Sequence, residues 1–398
     1  MSSTMRKMKW MLPVILLIGF IMRSPITTLP LMLKELAVNL HVAQSQLGIL
    51  TTLPLIMFLL FSNFASVVLN RYGFKRAMIF ALGILTAGSF MRLIITMPTM
   101  LLGTCLIGIG IAHLNVFMPS LVTAYFPNRI GLYTTLYSFA MISGNAIFNL
   151  ITAPVAKALG WKAMMWLLVI TAVLALVSWL LISTWLPEKI ERNQSGVKGP
   201  DKSNIHVWNN KHAWPFLLTF GGQATMSYTF SAWMPTLMAY HHVPAEIIGV
   251  ITASFAFIGL PISIFLPQLL VVFKQRGKSL LIWSAGLCGI IAAGMLFIQN
   301  TSSITFWMTE SLLIGYAIGV FFIFDMTMFA VKTDNPYATA KLSGMAQAGG
   351  YLMSAFGPSL YGVAFAANPT GNLQNSVYLA LVLIALVSSL IIVRIKQI

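Results

Sequence analysis

The chain has 398 residues, of which 58% are hydrophobic and 8% charged, with a formal net charge of +16. Soluble domains carry about a quarter charged residues, so this composition excludes a soluble globular protein and fits a polytopic membrane protein. The positive balance does not indicate nucleic acid, because the basic residues are spread among short loops instead of being gathered on one domain.

The N-terminus carries Arg6, Lys7 and Lys9 before an apolar stretch, with no small-x-small cleavage site ahead of Arg23. It reads as an uncleaved first span without a lipid anchor motif. Arg23 lies inside this span, ~21 Å along a helix from Lys9 and therefore near the bilayer midplane. A guanidinium there is costly unless it faces a polar cavity or a partner. Pro25 denies the Ile21 carbonyl its helical hydrogen bond. A charge and a broken backbone at one depth indicate a permeation or binding site. On a continuous helix Thr27 and Pro30 would share a face with Arg23. Arg23 is either an anchor for an anionic or strongly polar solute, with Thr27 as donor, or the structural partner of an acid on another helix.

Apolar runs follow near 11–35, 47–69, 77–97, 99–125, 131–156 and 163–186, then near 213–238, 246–272, 279–299, 303–330, 342–366 and 374–394. Each is long enough for a hydrocarbon core of ~30 Å. With both termini inside, nineteen of the 24 Lys and Arg residues fall on the inner side. Three (Lys34, Lys157 and Lys162) fall outside, and Arg23 and Arg92 remain within the membrane. The expectation is an all-α, multi-pass protein of the inner or plasma membrane with twelve spans and cytoplasmic termini. Residues 1–186 form an N-terminal six-helix bundle, 187–212 a cytoplasmic connector, and 213–398 a C-terminal six-helix bundle. Leu47-Gly48-Ile49-Leu50-Thr51 recurs as Ile248-Gly249-Val250-Ile251-Thr252 at the start of the second span of each half. Such repeats, with a solute site at their interface, are a transporter pattern.

Asn70-Arg71-Tyr72-Gly73-Phe74-Lys75-Arg76 resembles the signature loop of the major facilitator superfamily, with Asn70 where Asp is usual and Ser66 where Gly is usual. Five strings resemble its cyanate/nitroimidazole permease branch: Arg23-Ser24-Pro25-Ile26-Thr27, Leu50-Thr51-Thr52-Leu53-Pro54, Gly131-Leu132-Tyr133-Thr134-Thr135, Trp233-Met234-Pro235 and Leu342-Ser343-Gly344-Met345-Ala346-Gln347. The resemblance implies a single-polypeptide secondary transporter working by alternating access on a small polar or anionic solute, cyanate-like or nitroimidazole-like. Protons and membrane lipids are the other expected partners, and a monomer is the expected unit. A proton-driven exporter of toxic compounds is the first alternative. A transporter-like receptor or sensor is the second.

The resemblance also implies that helices one, four, seven and ten line the cavity, with parts of five, eight and eleven. It places an Asn at Asn115, where the amide can bind a polar solute. His113, about 200° away on the wheel, is expected to bond between helices. Gln223 on the seventh helix, and Gln347 and Tyr351 on the eleventh, suit a small polar or flat solute or serve as interhelical glue. Trp233 is a binding or outer-gate residue, or an aromatic-belt residue. Asp325, on the tenth helix, does not belong to the branch strings. It is a protonatable coupling residue or a structural partner of Arg23. Arg92 and Glu310 project near the outer boundary, where snorkelling or an interfacial salt bridge accounts for them. The stripe Thr134, Ser138, Asn145 and Asn149 on the fifth helix is expected to pack against the second half. Cys105 and Cys288 sit in apolar runs without metal spacing. No Walker loop, HExxH or GxSxG motif is present, so no enzyme activity, metal or cofactor is expected.

Overall fold

The computed structural model describes residues 10–42, 47–186 and 206–398. Arg6, Lys7, Lys9 and the connector residues 187–205 lie outside the described residues. All regular structure among the described residues is helical. In chain order the α-helices are α1 Met11–Ile21, α2 Ser24–Thr27, α3 Leu33–Leu40, α4 Ile49–Met91, α5 Met97–Tyr125, α6 Ile130–Leu159 and α7 Trp161–Ser183. They continue as α8 Trp214–Tyr240, α9 Ala245–Phe257, α10 Gly259–Val272, α11 Gln275–Met295, α12 Ile304–Val331, α13 Pro336–Ala367 and α14 Asn372–Arg394. Seven spans, one running from α9 into α10, are long and apolar enough to cross a membrane by length and composition.

Local chemistry explains the boundaries. The first span is not one helix. It stops at Ile21, restarts as the single turn α2, passes through a 3-10 turn at Leu29–Met32 and ends as α3. Pro25 and Pro30 lack the N–H that a continuous helix requires, so Arg23, Thr27 and Pro30 do not share one regular face. Within α4 Gly73 has φ 71° and ψ 170°, a region open to glycine alone. It separates the second and third spans inside the signature-like turn. Pro98 occupies the first turn of α5, where its missing N–H costs nothing, behind a Thr96 cap paired with Thr99.

The internal repeat is legible in backbone detail. His41 and His242 both adopt left-handed conformations, with φ of 55° and 59°. Val42 N–H donates to Ala37 O and His41 N–H to Val38 O, while Val243 N–H donates to Met238 O and His242 N–H to Ala239 O. These are two Schellman caps at the same offset as the repeated Leu47 and Ile248 strings.

The chain divides into two compact units. The first holds Met1–Arg129, Leu136–Asn204 and Asn335–Gly344; the second holds Ile130–Thr135, Ile205–Asp334 and Met345–Ile398. In the first, Leu29, Met32, Leu36, Leu50, Met100, Phe148 and Leu168 form a buried core that fixes the far half of the broken span.

Candidate functional site

In the first unit, α1 and α6 touch backbone to backbone. A Cβ added at Gly19 would lie 2.7 Å from Tyr137 O, and one at Gly144 would lie 2.3 Å from Phe20 O. This approach brings α6 against the turn where the first span breaks. Arg23 caps α2 with φ −126° and ψ −34°, outside the helical basin. Side chains add hydrogen bonds around the break: Ser24 Oγ donates to Phe20 O at 2.5 Å, and Thr28 Oγ1 donates at 2.7 Å to Ser24 O, which also accepts the Thr28 N–H. Thr27 Oγ1 makes a short hydrogen bond to Asn145 Oδ1, which also accepts from Asn149 Nδ2 at 3.4 Å. The Asn145 oxygen is thus saturated, while its amide nitrogen donates to no group among the described residues. Arg23 is half-buried between buried Met22 and Ser24 and is engaged with its surroundings.

Asn145 was not among the site residues expected from the sequence. Its spacing to Asn149 was visible as part of a stripe expected to pack against the second half; its hydrogen bonds go to Thr27 and Asn149, within the first unit. Asn115, on α5, is the one residue between Gly110 and Val122 that is not buried, as a side chain facing a cavity would be. Among the described residues His113 makes no hydrogen bond to another helix. Its Nδ1 pairs with Ile109 O of its own helix at 2.8 Å, and its ring lies among Phe61, Phe80 and Phe117, with centroids 5.6–6.5 Å away.

Arg92 and Glu310 do not snorkel: Arg92 is 2% exposed and Glu310 0%. Arg92 directly follows the last residue of α4, and its side chain turns inward. Neither Glu310 oxygen accepts a hydrogen bond.

In the second unit, α8 and α13 meet through glycines. A Cβ on Gly350 would lie 2.9 Å from Gly221 N. Phe220 sits edge-on to Tyr351 at 5.2 Å, and Thr225 Oγ1 is 3.4 Å from Ser354 Oγ. Gln223, one turn along α8 from Phe220, is 3% exposed; Gln347, one turn before Tyr351, is 0% exposed. Gln347 and Tyr351 are both engaged with neighbouring groups. Trp233 lies ten residues beyond Gln223, ~15 Å along the helix. Its Nε1 donates to Pro358 O at 2.7 Å, its ring lies 5.3 Å from Phe365, and Gly362 leaves the space it fills. Trp233 therefore ties α8 to α13 instead of sitting loose in a lipid-facing belt. Asp325 is fully buried between Phe324 and Met326, and neither of its oxygens accepts a hydrogen bond. Among the described residues no group of three His, Cys, Asp or Glu is arranged to hold a metal ion.

The Major Facilitator Superfamily profile matches residues 11–358. The chain belongs to this family. It is 30% identical over 363 residues to the uncharacterized transporter YycB of Bacillus subtilis (strain 168), covering 89% of this chain and 86% of YycB. It is also 30% identical over 362 residues to the 2-nitroimidazole transporter of Escherichia coli (strain K12), covering 89% and 88%. Identity to the cyanate transport protein CynX of the same organism is 24% over 369 residues, covering 89% of both chains. The structure of the proton:xylose symporter XylE superposes with a TM-score of 0.74 at 13% identity, covering 97% of this chain and 95% of XylE. That likeness establishes the major facilitator fold. The chain is a multi-pass secondary transporter of small solutes.

Proposed function

We propose that the solute is a small flat or anionic compound rich in hydrogen-bond acceptors, cyanate-like or nitroimidazole-like. Arg23, Thr27 and Asn115 in the first unit, and Gln223, Gln347 and Tyr351 in the second, are the binding residues. Trp233 closes the outer side. The observation that carries this reading is the Asn145 side chain at the turn where the first span breaks: its oxygen accepts from Thr27 and Asn149, while its amide nitrogen donates to no group among the described residues. A donor left over at a turn that also carries an arginine favours nitro, carboxylate or cyanate groups over cations. The solutes of the related 2-nitroimidazole transporter and cyanate transport protein point the same way.

Asp325 is the proposed coupling group. A carboxyl group buried at membrane depth with no hydrogen bond to either oxygen is poised to lose or gain a proton when its surroundings change. The transporter acts as a monomer in the cell membrane with both termini in the cytoplasm. Direction follows from how solute and proton binding are ordered, and export of toxic compounds uses the same residues. Purified protein in proteoliposomes tests the reading. A panel of cyanate, nitrate, small carboxylates and nitroimidazoles should include compounds that raise the melting temperature and that move across the bilayer when a pH gradient is imposed. Stabilisation without flux would turn the reading toward a receptor. Silence across the whole panel would refute the solute class.

A further inference from the structure

Arg92 is the largest buried cation of the first unit, and the assigned functions leave it unexplained. It caps the end of α4, where its backbone N–H donates to Gly88 O at 3.2 Å. Its side chain runs across α5 at Gly103, where an added Cβ would lie 3.0 Å from Arg92 Cγ and 2.7 Å from Gly88 O. The α4–α5 crossing is therefore close enough to hold the stem flat. Nε and Nη2 both donate to Thr104 Oγ1, at 3.1 and 2.8 Å. That hydroxyl can accept both because its own proton is committed to Met100 O at 2.6 Å. Nη1 donates to Pro25 O at 2.6 Å.

Among the described residues no carboxylate pairs with this charge. Glu35 is the one acid among the described residues of the first unit, and its Oε2 has no hydrogen-bond partner. The guanidinium is instead balanced by dipoles: the C-terminal end of α4, the Thr104 hydroxyl and the Pro25 carbonyl. A fully buried cation placed on a carbonyl has the strength and the planar geometry to fix that carbonyl in space. Pro25 O belongs to the single turn α2, between Arg23 and Thr27. Four residues of helix do not hold themselves. This turn is clamped from α4 and α5 through Arg92 and from α6 through Asn145.

We propose that Arg92 is a positioning residue for solute binding: it fixes the Ser24–Thr27 turn through the Pro25 carbonyl and so sets where the turn presents Arg23 and holds Thr27 against Asn145. The link to solute rests on the role proposed above for Arg23. The positioning itself does not, and it is tested without solute. In a Cys105→Ser, Cys288→Ser background, Ile26→Cys reports on the turn, and Asn149→Cys reports on α6 behind it. The measured quantity is the rate of reaction with a membrane-permeant maleimide.

Arg92→Lys keeps the charge but has no fork to span Thr104 and Pro25. Thr104→Val removes the acceptor that orients the fork. Thr104→Ser restores the hydroxyl. Both disruptive variants should change the rate at position 26 at least fivefold and leave position 149 within twofold, while Thr104→Ser stays within twofold at both. Unchanged rates at 26, or parallel changes at 26 and 149, would overturn the proposal and make Arg92 a general support of the bundle. Should Arg92→Lys fail to fold, Thr104→Val decides alone. Uptake of 2-nitroimidazole by Arg23→Ala separates the two claims. Wild-type uptake there removes the solute role and leaves the labelling result to stand or fall by itself.

Discussion

Gly144→Ala should destabilise the first unit and detach Thr27 from Asn145. The added Cβ lies 2.3 Å from Phe20 O and 2.8 Å from Phe20 Cα, about 1.1 Å inside the 3.4 Å at which ordinary contact begins. Both obstacles are backbone, so no side-chain rotation relieves the clash, and α1 and α6 must part. Overpacking of this kind costs ~1–3 kcal/mol, against a gain of ~1 kcal/mol in helix propensity when alanine replaces glycine. Gly83→Ala supplies the control, because nothing lies within 4 Å of its added Cβ and it collects the propensity gain alone. The steric term is then the difference between the two variants, about 3–10 °C in melting temperature for a unit of this size. Intrinsic fluorescence of the ten tryptophans, followed on heating in detergent, would measure it. Asn145 moves with residue 144, so a shift of that size also stretches its bond to Thr27 and should lower solute affinity in Gly144→Ala alone. Equal melting of Gly144→Ala and Gly83→Ala would show that the backbone contact between α1 and α6 does not exist as described.

Three further outcomes are expected. Arg23→Lys, which keeps the charge and loses the planar fork, should impair uptake strongly, and Arg23→Ala more so, with normal membrane insertion of both; proteoliposome uptake at wild-type rate in Arg23→Ala would remove Arg23 from the mechanism. Asp325→Asn imitates the protonated carboxyl and should retain solute-induced thermal stabilisation while losing accumulation driven by a pH gradient; undiminished accumulation would leave Asp325 a structural residue. His41→Gly and His242→Gly should each stabilise the protein by ~0.5–1 kcal/mol, since both remove a Cβ from a left-handed cap; a fall in melting temperature for either would show that the imidazole has a role of its own.

The fold was legible in the sequence because the bilayer imposes a single rule, an apolar helix of sufficient length, that composition reports directly. The breaks were legible where the pattern singles a residue out. Pro25 and Pro30 withhold two backbone donors five residues apart, whereas the lone prolines Pro54 and Pro119 stay inside their helices, and Gly73, in the signature-like turn, takes a conformation closed to other residues. Where a residue has two options, the sequence was silent. Nothing in the string around His41 announces a left-handed cap, because histidine adopts it only when the surrounding hydrogen bonds outweigh its preference. The matching cap at His242, also a histidine followed by valine, has the same hydrogen-bond pattern in the other half of the repeat.

The site divides along the same line. Arg23 was identifiable because a charge in an apolar run has a large energetic cost that demands a reason. Asn145 was not, because amides at helical spacing serve binding and packing equally well. What separates the two is which oxygen and which nitrogen are already satisfied, and that depends on a partner 118 residues away in the chain. Arg92 shows the limit of the depth argument. A count of residues along an apolar run locates a charge along the membrane normal but not around the helix. A guanidinium near the end of a run can reach outward to water or inward to a carbonyl. Here Gly88 and Gly103 draw α4 and α5 together, and the inward route is the one with hydrogen-bond partners. The choice between a snorkelling arginine and a buried clamp was therefore made by two glycines on neighbouring helices, whose pairing exists only in the folded chain.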